Sequence, residues 1–100
     1  MPDATVPRYR RVILKISGEG FAKPKQFGID PEELSLIADE VVDAASIGTQ
    51  VAVVVGGGNI IRGAVLAKDG LIQQATADYM GMLGTVINAL ALKEAVESKG

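Results

Sequence analysis

One hundred residues with 48% hydrophobic content and four aromatic side chains suit one small unit, or one piece of a larger one, built on a dense aliphatic core. A net charge of −2 and a pI near 5.0 argue against general attraction to nucleic acid or to an anionic membrane surface. The absence of cysteine and histidine excludes disulfides, thiol and imidazole catalysis and the commonest metal ligands, leaving Lys, Arg, carboxylates, hydroxyls and backbone amides for any chemistry.

No apolar run reaches the length of a membrane span and the N-terminus lacks the apolar stretch of a signal peptide, so the expected address is the cytoplasm. Residues 1–8 carry two prolines and no periodicity, and read as a loose arm. Arg11 to Gly18, RVILKISG, alternates Val12, Leu14 and Ile16 against Ile13, Lys15 and Ser17, the pattern of a strand. Lys15 lies near its carboxyl end, where ligands gather in open α/β sheets; the competing reading is a lysine snorkelling from a sheet edge. Residues 19–29 mix Gly, Pro and Lys around two phenylalanines and predict a surface loop.

Asp30-Pro31-Glu32-Glu33 predicts a helix start, with aspartate as N-cap, proline at the first helical position and a glutamate placed to complete a capping box. Leu34, Ile37, Ala38, Val41, Val42 and Ala45 recur at helical spacing until a stop near Gly48, and Asp39, Glu40 and Asp43 form the solvated face. Gln50 to Val55 reads as a strand buried on both faces, the parallel-sheet pattern, and completes a βαβ unit.

Gly56, Gly57 and Gly58 then remove every Cβ atom at the strand exit, so that backbone N–H groups can turn toward a phosphate. The rival reading is a tight turn that binds nothing. Asn59 is a candidate N-cap for the next helix, with Arg62 one turn into it. A short apolar helix, Ala64 to Ala67, breaks at Lys68-Asp69-Gly70. Leu71 to about Ser98 reads as one long helix, so apolar on most sides that several neighbours must cover it. Gly81 and Gly84 within it point to a close backbone approach.

The glycine loop fits neither the P-loop nor the dinucleotide fingerprint, since no Gly-Lys-Ser/Thr follows and Ile61 stands where a third spaced glycine is required. What remains is a lysine and a glycine closing the first strand, three glycines closing the second, and Arg62 beyond. That set could hold two phosphorylated ligands end to end, as phosphoryl transfer requires.

The segments Lys15-Ile16-Ser17-Gly18, Phe27-Gly28-Ile29-Asp30, Val55 to Ala64 and Ala77 to Leu90 resemble the N-terminal half of the bacterial UMP kinases, members of the amino-acid kinase superfold. The resemblance covers nearly everything from Tyr9 onward. The Lys-x-Ser-Gly and triple-glycine elements are shared with acetylglutamate, carbamate and aspartate kinases, and the run around Asp78-Tyr79-Met80-Gly81-Met82 is more particular to the UMP enzymes. It implies an α/β, three-layer αβα fold with a mainly parallel central sheet, of which residues 1–100 would form the N-terminal portion, a βαβ unit plus a long helix.

It also implies residue roles. Lys15, Ile16, Ser17, Gly18, Gly58 and Arg62 would bind ATP, with Lys15 and Arg62 catalytic, and Gly57 and Asp78 would bind UMP. Without the resemblance, Asp78 reads as a capping or surface residue. The family's GTP-responsive region corresponds to Lys23, Pro24, Lys25, Gln26, Phe27 and Gly28, of which only Phe27 and Gly28 keep the usual pattern. Further implications are Mg²⁺ as cofactor, with no metal ligand in this stretch, GTP as activator, UTP as inhibitor and a homo-oligomer, a hexamer in the family. Family members are more than twice as long, so residues 1–100 alone are expected to be inactive and to aggregate or bind other chains. The alternatives are another phosphotransferase of the fold, of carbamate or acetylglutamate type, and a non-catalytic nucleotide-binding or assembly module.

Overall fold

The computed structural model describes residues 8–100; the predicted arm lies outside the described residues except for the exposed Arg8. Strand β1 (Arg11–Ile16) is followed by a 3-10 turn over Gly18–Phe21, helix α1 (Pro31–Ser46), strand β2 (Gln50–Val55), the short helix α2 (Gly63–Ala67) and the long helix α3 (Gln74–Ser98). β1 and β2 pair in parallel, in a register that sets Lys15 opposite Val54 and Ile16 opposite Val55. The strand, helix, strand order read from the sequence is therefore correct, and the chain is α/β.

The start of α1 forms as its residues dictate. Pro31 supplies a preset φ, and the Asp30 carboxylate accepts a hydrogen bond from the Glu33 amide at 3.0 Å. The return half of the capping box is absent: the Asp30 amide donates to the Phe21 carbonyl at 2.7 Å, and the Glu33 carboxylate turns to Lys23 at 3.7 Å. At the other end Gly48 takes a φ of 94°, a left-handed conformation that suits glycine and turns the chain toward β2.

The core gathers on one face of the sheet. Phe21, Ala38 and Leu92 are its buried centre, with Ile16, Val53 and Val55 beneath and Leu34, Ile37, Ala95 and Val96 alongside. Both long helices supply that layer, so the expectation that β2 is buried on both faces is not met among the described residues. Both strands alternate exposed and half-buried positions, and Ile13 and Val54 stand in solvent because no described element covers that side.

Two further expectations change. The 19–29 segment is not wholly a surface loop: the 3-10 turn drives Phe21 to complete burial, whereas Phe27 is 84% exposed. In α3 the buried stripe is Ala77, Gly84, Asn88 and Leu92, at successive spacings of seven, four and four. The large residues Tyr79, Met82, Leu83, Val86, Ile87 and Leu90 face outward, since small residues allow the helix to approach the strand ends and large ones do not. The helix begins at Gln74, not Leu71, which is exposed in the preceding bend.

The two phenylalanines should separate sharply in a urea unfolding series. Phe21→Ala is expected to cost about 3–5 kcal/mol, the range for truncating a fully buried aromatic, and Phe27→Ala less than about 0.5 kcal/mol. Equal effects would contradict this assignment of the core.

Candidate functional site

The carboxyl ends of β1 and β2 meet three backbone segments at distances that leave no room for side chains. A Cβ atom on Gly18 would lie 2.5 Å from the Gly58 amide nitrogen, and one on Gly56 would lie 3.0 Å from the Gly18 amide nitrogen. On the far side, a Cβ on Gly57 would lie 2.9 Å from both the Gly81 carbonyl oxygen and the Thr85 amide nitrogen of α3. The close approach predicted from Gly81 and Gly84 is met at Gly84, whose Cβ would lie 3.4 Å from the Gly57 carbonyl oxygen, whereas a Cβ on Gly81 would meet nothing and only the Gly81 carbonyl approaches Gly57. Gly63 repeats the device: its Cβ would meet the Ala77 carbonyl oxygen at 2.9 Å and the Asp78 Oδ1 at 3.2 Å.

Asn59 is not the N-cap that the sequence suggests. Residues 58–60 form a turn, α2 starts four residues later with Arg62 as its N-cap, and Arg62 therefore precedes the helix instead of lying one turn into it. The Asn59 side chain is buried, 2% exposed, and is used inside the fold. Its Nδ2 donates to the Gly28 carbonyl at 2.9 Å and to the Asn88 Oδ1 at 3.1 Å, while Asn88 Nδ2 donates to the Asn59 Oδ1 at 2.6 Å and to the Gly56 carbonyl at 2.8 Å. Burial of two amides is tolerable because their hydrogen bonds are made, and among the described residues every buried side-chain polar atom has a partner.

Around the glycines the predicted residues divide into those brought together and those kept apart. Ser17 donates its hydroxyl to the Glu19 carboxylate, which also forms an ion pair with the Arg62 guanidinium. Glu19 Oε1 lies 2.8 Å from where a Gly58 Cβ would stand, so this carboxylate sits directly over the turn. The hydrogen bond from Ser17, its own backbone contact and the charge of Arg62 hold the Glu19 carboxyl below its ordinary value.

Ser17, Gly18, Gly57, Gly58 and Arg62 therefore form one cluster. Ile16 ends β1 beneath it, its side chain in the core. Lys15 is exposed on the sheet face away from the helices, two residues before Ser17, and makes no hydrogen bond or ion pair among the described residues. Asp78 is exposed on α3 beside Gly63, its Oδ1 accepting from Gln74 Nε2 at 2.7 Å.

A hollow of about 560 Å³ opens against Gly58, Asn59 and Arg62, walled on the other side by Lys23 to Phe27 and floored by Ile60, Val65 and Leu66. The segment matched to the GTP-responsive region thus shares a cavity with part of the phosphate-site set. Its members are committed differently. Lys23 faces Asp30, Glu32 and Glu33 at 3.6, 3.4 and 3.7 Å. Desolvation opposes its charge, but the Glu32 hydrogen bond and the three carboxylates prevail and raise its pKa. Lys25 is exposed, at a φ of 63° that few side chains adopt without cost.

Two participants escape sequence reasoning. Glu19 follows Ser-Gly directly, and only the folded turn shows that its carboxylate returns over Gly58. Asn88 is an amide on an apolar helix four residues past Gly84, a spacing that puts both on one face. No group of three metal-binding side chains occurs among the described residues, and no described helix is long and apolar enough to cross a membrane.

Residues 10–100 match the family described as "Amino acid kinase family". Among curated proteins, "Uridylate kinase" of Aliarcobacter butzleri is 53% identical over 91 residues, covering 91% of this chain and 39% of that protein. "Uridylate kinase" of Rubrobacter xylanophilus is 55% identical over 91 residues, covering 91% and 36%. Among solved structures, the UMP kinase from Bacillus anthracis superposes with a TM-score of 0.86 at 38% identity, covering 92% of this chain and 37% of that one. The UMP kinase from Ureaplasma parvum gives 0.75 at 33% identity, covering 91% and 38%. The chain spans less than two fifths of the length of each of these proteins.

The close approach at Gly57 can be tested by substitution. Gly57→Ala is expected to destabilise the protein by about 1–3 kcal/mol, as overpacking does, because the new methyl group meets backbone on α3 that cannot swing aside. Gly20→Ala, whose Cβ would meet only the Ile16 Cγ2 at 3.8 Å, should change stability by less than about 0.5 kcal/mol. Thermal melts of the two variants would contradict the packing if Gly57→Ala were the milder.

Proposed function

The chain belongs to the amino acid kinase family, and on that premise we propose that it forms the N-terminal, phosphate-binding portion of the kinase domain of a uridylate kinase, which transfers the γ-phosphoryl group of ATP to UMP. The observation that carries this reading is the cluster at the strand ends, where Ser17, Arg62 and the Gly18 and Gly58 backbones converge on a spot with no Cβ atoms. Such a spot admits a phosphate to the main chain and offers it a guanidinium. The "Uridylate kinase" relatives, matched over nearly all of the chain, support the choice of nucleotide.

In that reaction an oxygen of the UMP phosphate forms a bond to the γ-phosphorus, the bond from that phosphorus to the β–γ bridging oxygen breaks, and ADP leaves with the electron pair. The protein's task is to align the two oxygens and to absorb charge. Gly58, Ser17, Gly18 and the Ile16 main chain are assigned to ATP, Gly57 and Asp78 to UMP. Arg62 exchanges Glu19 for a phosphoryl oxygen, a stronger bidentate partner. Lys15, two residues before Ser17, is assigned to the charge that develops on the transferred group. Mg²⁺, when bound, supplies further charge neutralisation; the described residues offer no set of ligands for it, and no residue of this chain is assigned to it.

The same reading makes the protein a cytoplasmic enzyme of pyrimidine nucleotide synthesis, acting as a homo-oligomer, a hexamer by family resemblance. The outward apolar row of α3 from Tyr79 to Leu90 is a suitable contact surface. GTP is its activator and UTP its inhibitor. Of the effector segment, Lys25, Gln26 and Phe27 are exposed to a ligand while Lys23 is engaged by α1.

A hybrid in which residues 10–100 replace the matching segment of the Aliarcobacter butzleri relative tests the assignment. It should form UDP from UMP and ATP. Arg62→Ala and Lys15→Ala are each expected to lower kcat by about 10²–10³-fold, the scale of removing one charge-stabilising group, and Asp78→Ala should act mainly on the KM for UMP. Residues 1–100 alone should form none. A hybrid that leaves UMP untouched but phosphorylates carbamate or acetylglutamate would overturn the substrate assignment.

A further inference from the structure

We propose that Asn88, acting through Asn59, is a positioning residue that fixes the glycine turn in the conformation that receives phosphoryl groups. This rests on the proposed function for its consequence in catalysis, but its structural content stands separately. Asn88 is completely buried in α3 and lies far along the chain from β2, which ends at Val55.

The two amides form a closed pair, each donating to the other, at 3.1 and 2.6 Å. Each uses its second N–H on a backbone carbonyl: Asn88 on Gly56, the first residue of the turn, and Asn59 on Gly28, the last residue of the effector segment. These two carbonyls also fix which way round the amides lie, since an amide oxygen facing a carbonyl oxygen would repel it. The Gly28 amide in turn donates to the Asn59 carbonyl at 2.8 Å, so Asn59 is clasped on both its side chain and its backbone.

Gly56, Gly57 and Gly58 have almost no side-chain means of holding one conformation, and glycine has the most conformational freedom to lose. Something outside the turn must select its geometry. Asn88 grips the turn at its entry and Asn59 at its exit, while the Gly57 carbonyl accepts the amides of Ile60 and Ile61 at 2.9 and 3.0 Å between them. An apolar residue at position 88 could fill the same space and pack against Leu92 and Gly84. The amide is the residue type that can also bond to Gly56 and Asn59 at once, and its loss leaves both buried partners unsatisfied.

The test uses the same hybrid carrying Asn88→Leu, which keeps the volume, Asn88→Asp, which keeps the shape and one acceptor but loses the donors, and Asn59→Ala. Amide hydrogen exchange is read first, because it does not depend on catalysis. Exchange at Gly28, Ile60 and Ile61, whose amides donate to the Asn59 and Gly57 carbonyls, is expected to accelerate by about tenfold or more, the size of a lost buried hydrogen bond, while amides of α1 and β1 keep their rates. In steady-state assays kcat should fall by about 10- to 100-fold, as for small displacements of a positioned group, with the KM values for ATP and UMP moving less than about threefold; a general loss of folded enzyme gives the same split, and exchange that rises at the turn but not in α1 and β1 separates the two.

Unchanged exchange at the turn, exchange that rises equally throughout the protein, or failure of all three variants to fold would each overturn the proposal. A hybrid whose turn loosens as expected but that never phosphorylates UMP would refute the proposed function and leave the positioning role standing.

Discussion

The structure depends on a steric constraint: two strand ends and one helix approach so closely that their backbones touch. Gly18 lies against Gly58, and Gly57 lies against the α3 main chain at Gly81, Gly84 and Thr85. Everything chemical at the site follows from that absence of Cβ atoms. Amides that side chains would normally shield are brought to one spot, and Ser17, Glu19 and Arg62 are gathered over it. The same constraint explains the face that α3 buries, which is its small residues and one amide while its large apolar residues turn outward.

A turn made of glycine is accessible to an anion and at the same time poorly defined, and the fold resolves the conflict with buried hydrogen bonds in place of side-chain packing. The paired amides of Asn59 and Asn88 connect the turn to α3 and to Gly28, and so to the segment that walls the adjoining hollow. Lys23 anchors the other end of that segment to three carboxylates at the start of α1. The glycine cluster and residues 23–28 are thereby parts of one connected polar framework, resting on the core built by Phe21, Ala38 and Leu92.

Much of this was legible in the residues. Alternation gave β1, the Asp30-Pro31 start and Gly48 stop gave α1, and the β-branched run into three glycines gave β2 and its exit, because each of these rests on local chemistry. The family resemblance was carried by motifs that are themselves local, and the match over residues 10–100 agrees with it. What failed was whatever depends on neighbours distant in sequence. An apolar run in β2 says that burial is favourable, not which element supplies it, and the described residues cover one face only. Phe21 and Phe27 are alike in sequence and opposite in burial because one 3-10 turn points inward. Asn59 has the right type and position for an N-cap, yet Asn88, 29 residues away, claims its side chain.

The proposed function requires the glycine junction, with Arg62 at its rim, to receive nucleotide phosphoryl groups. A crystal structure of the hybrid with UMP and a non-hydrolysable ATP analogue tests it most directly. Phosphate oxygens are expected within hydrogen-bonding distance of the Gly57 and Gly58 amides, with the Arg62 guanidinium moved from Glu19 onto the phosphates. Nucleotides bound elsewhere, with Arg62 still paired to Glu19 and the glycine amides facing no phosphate, would contradict it.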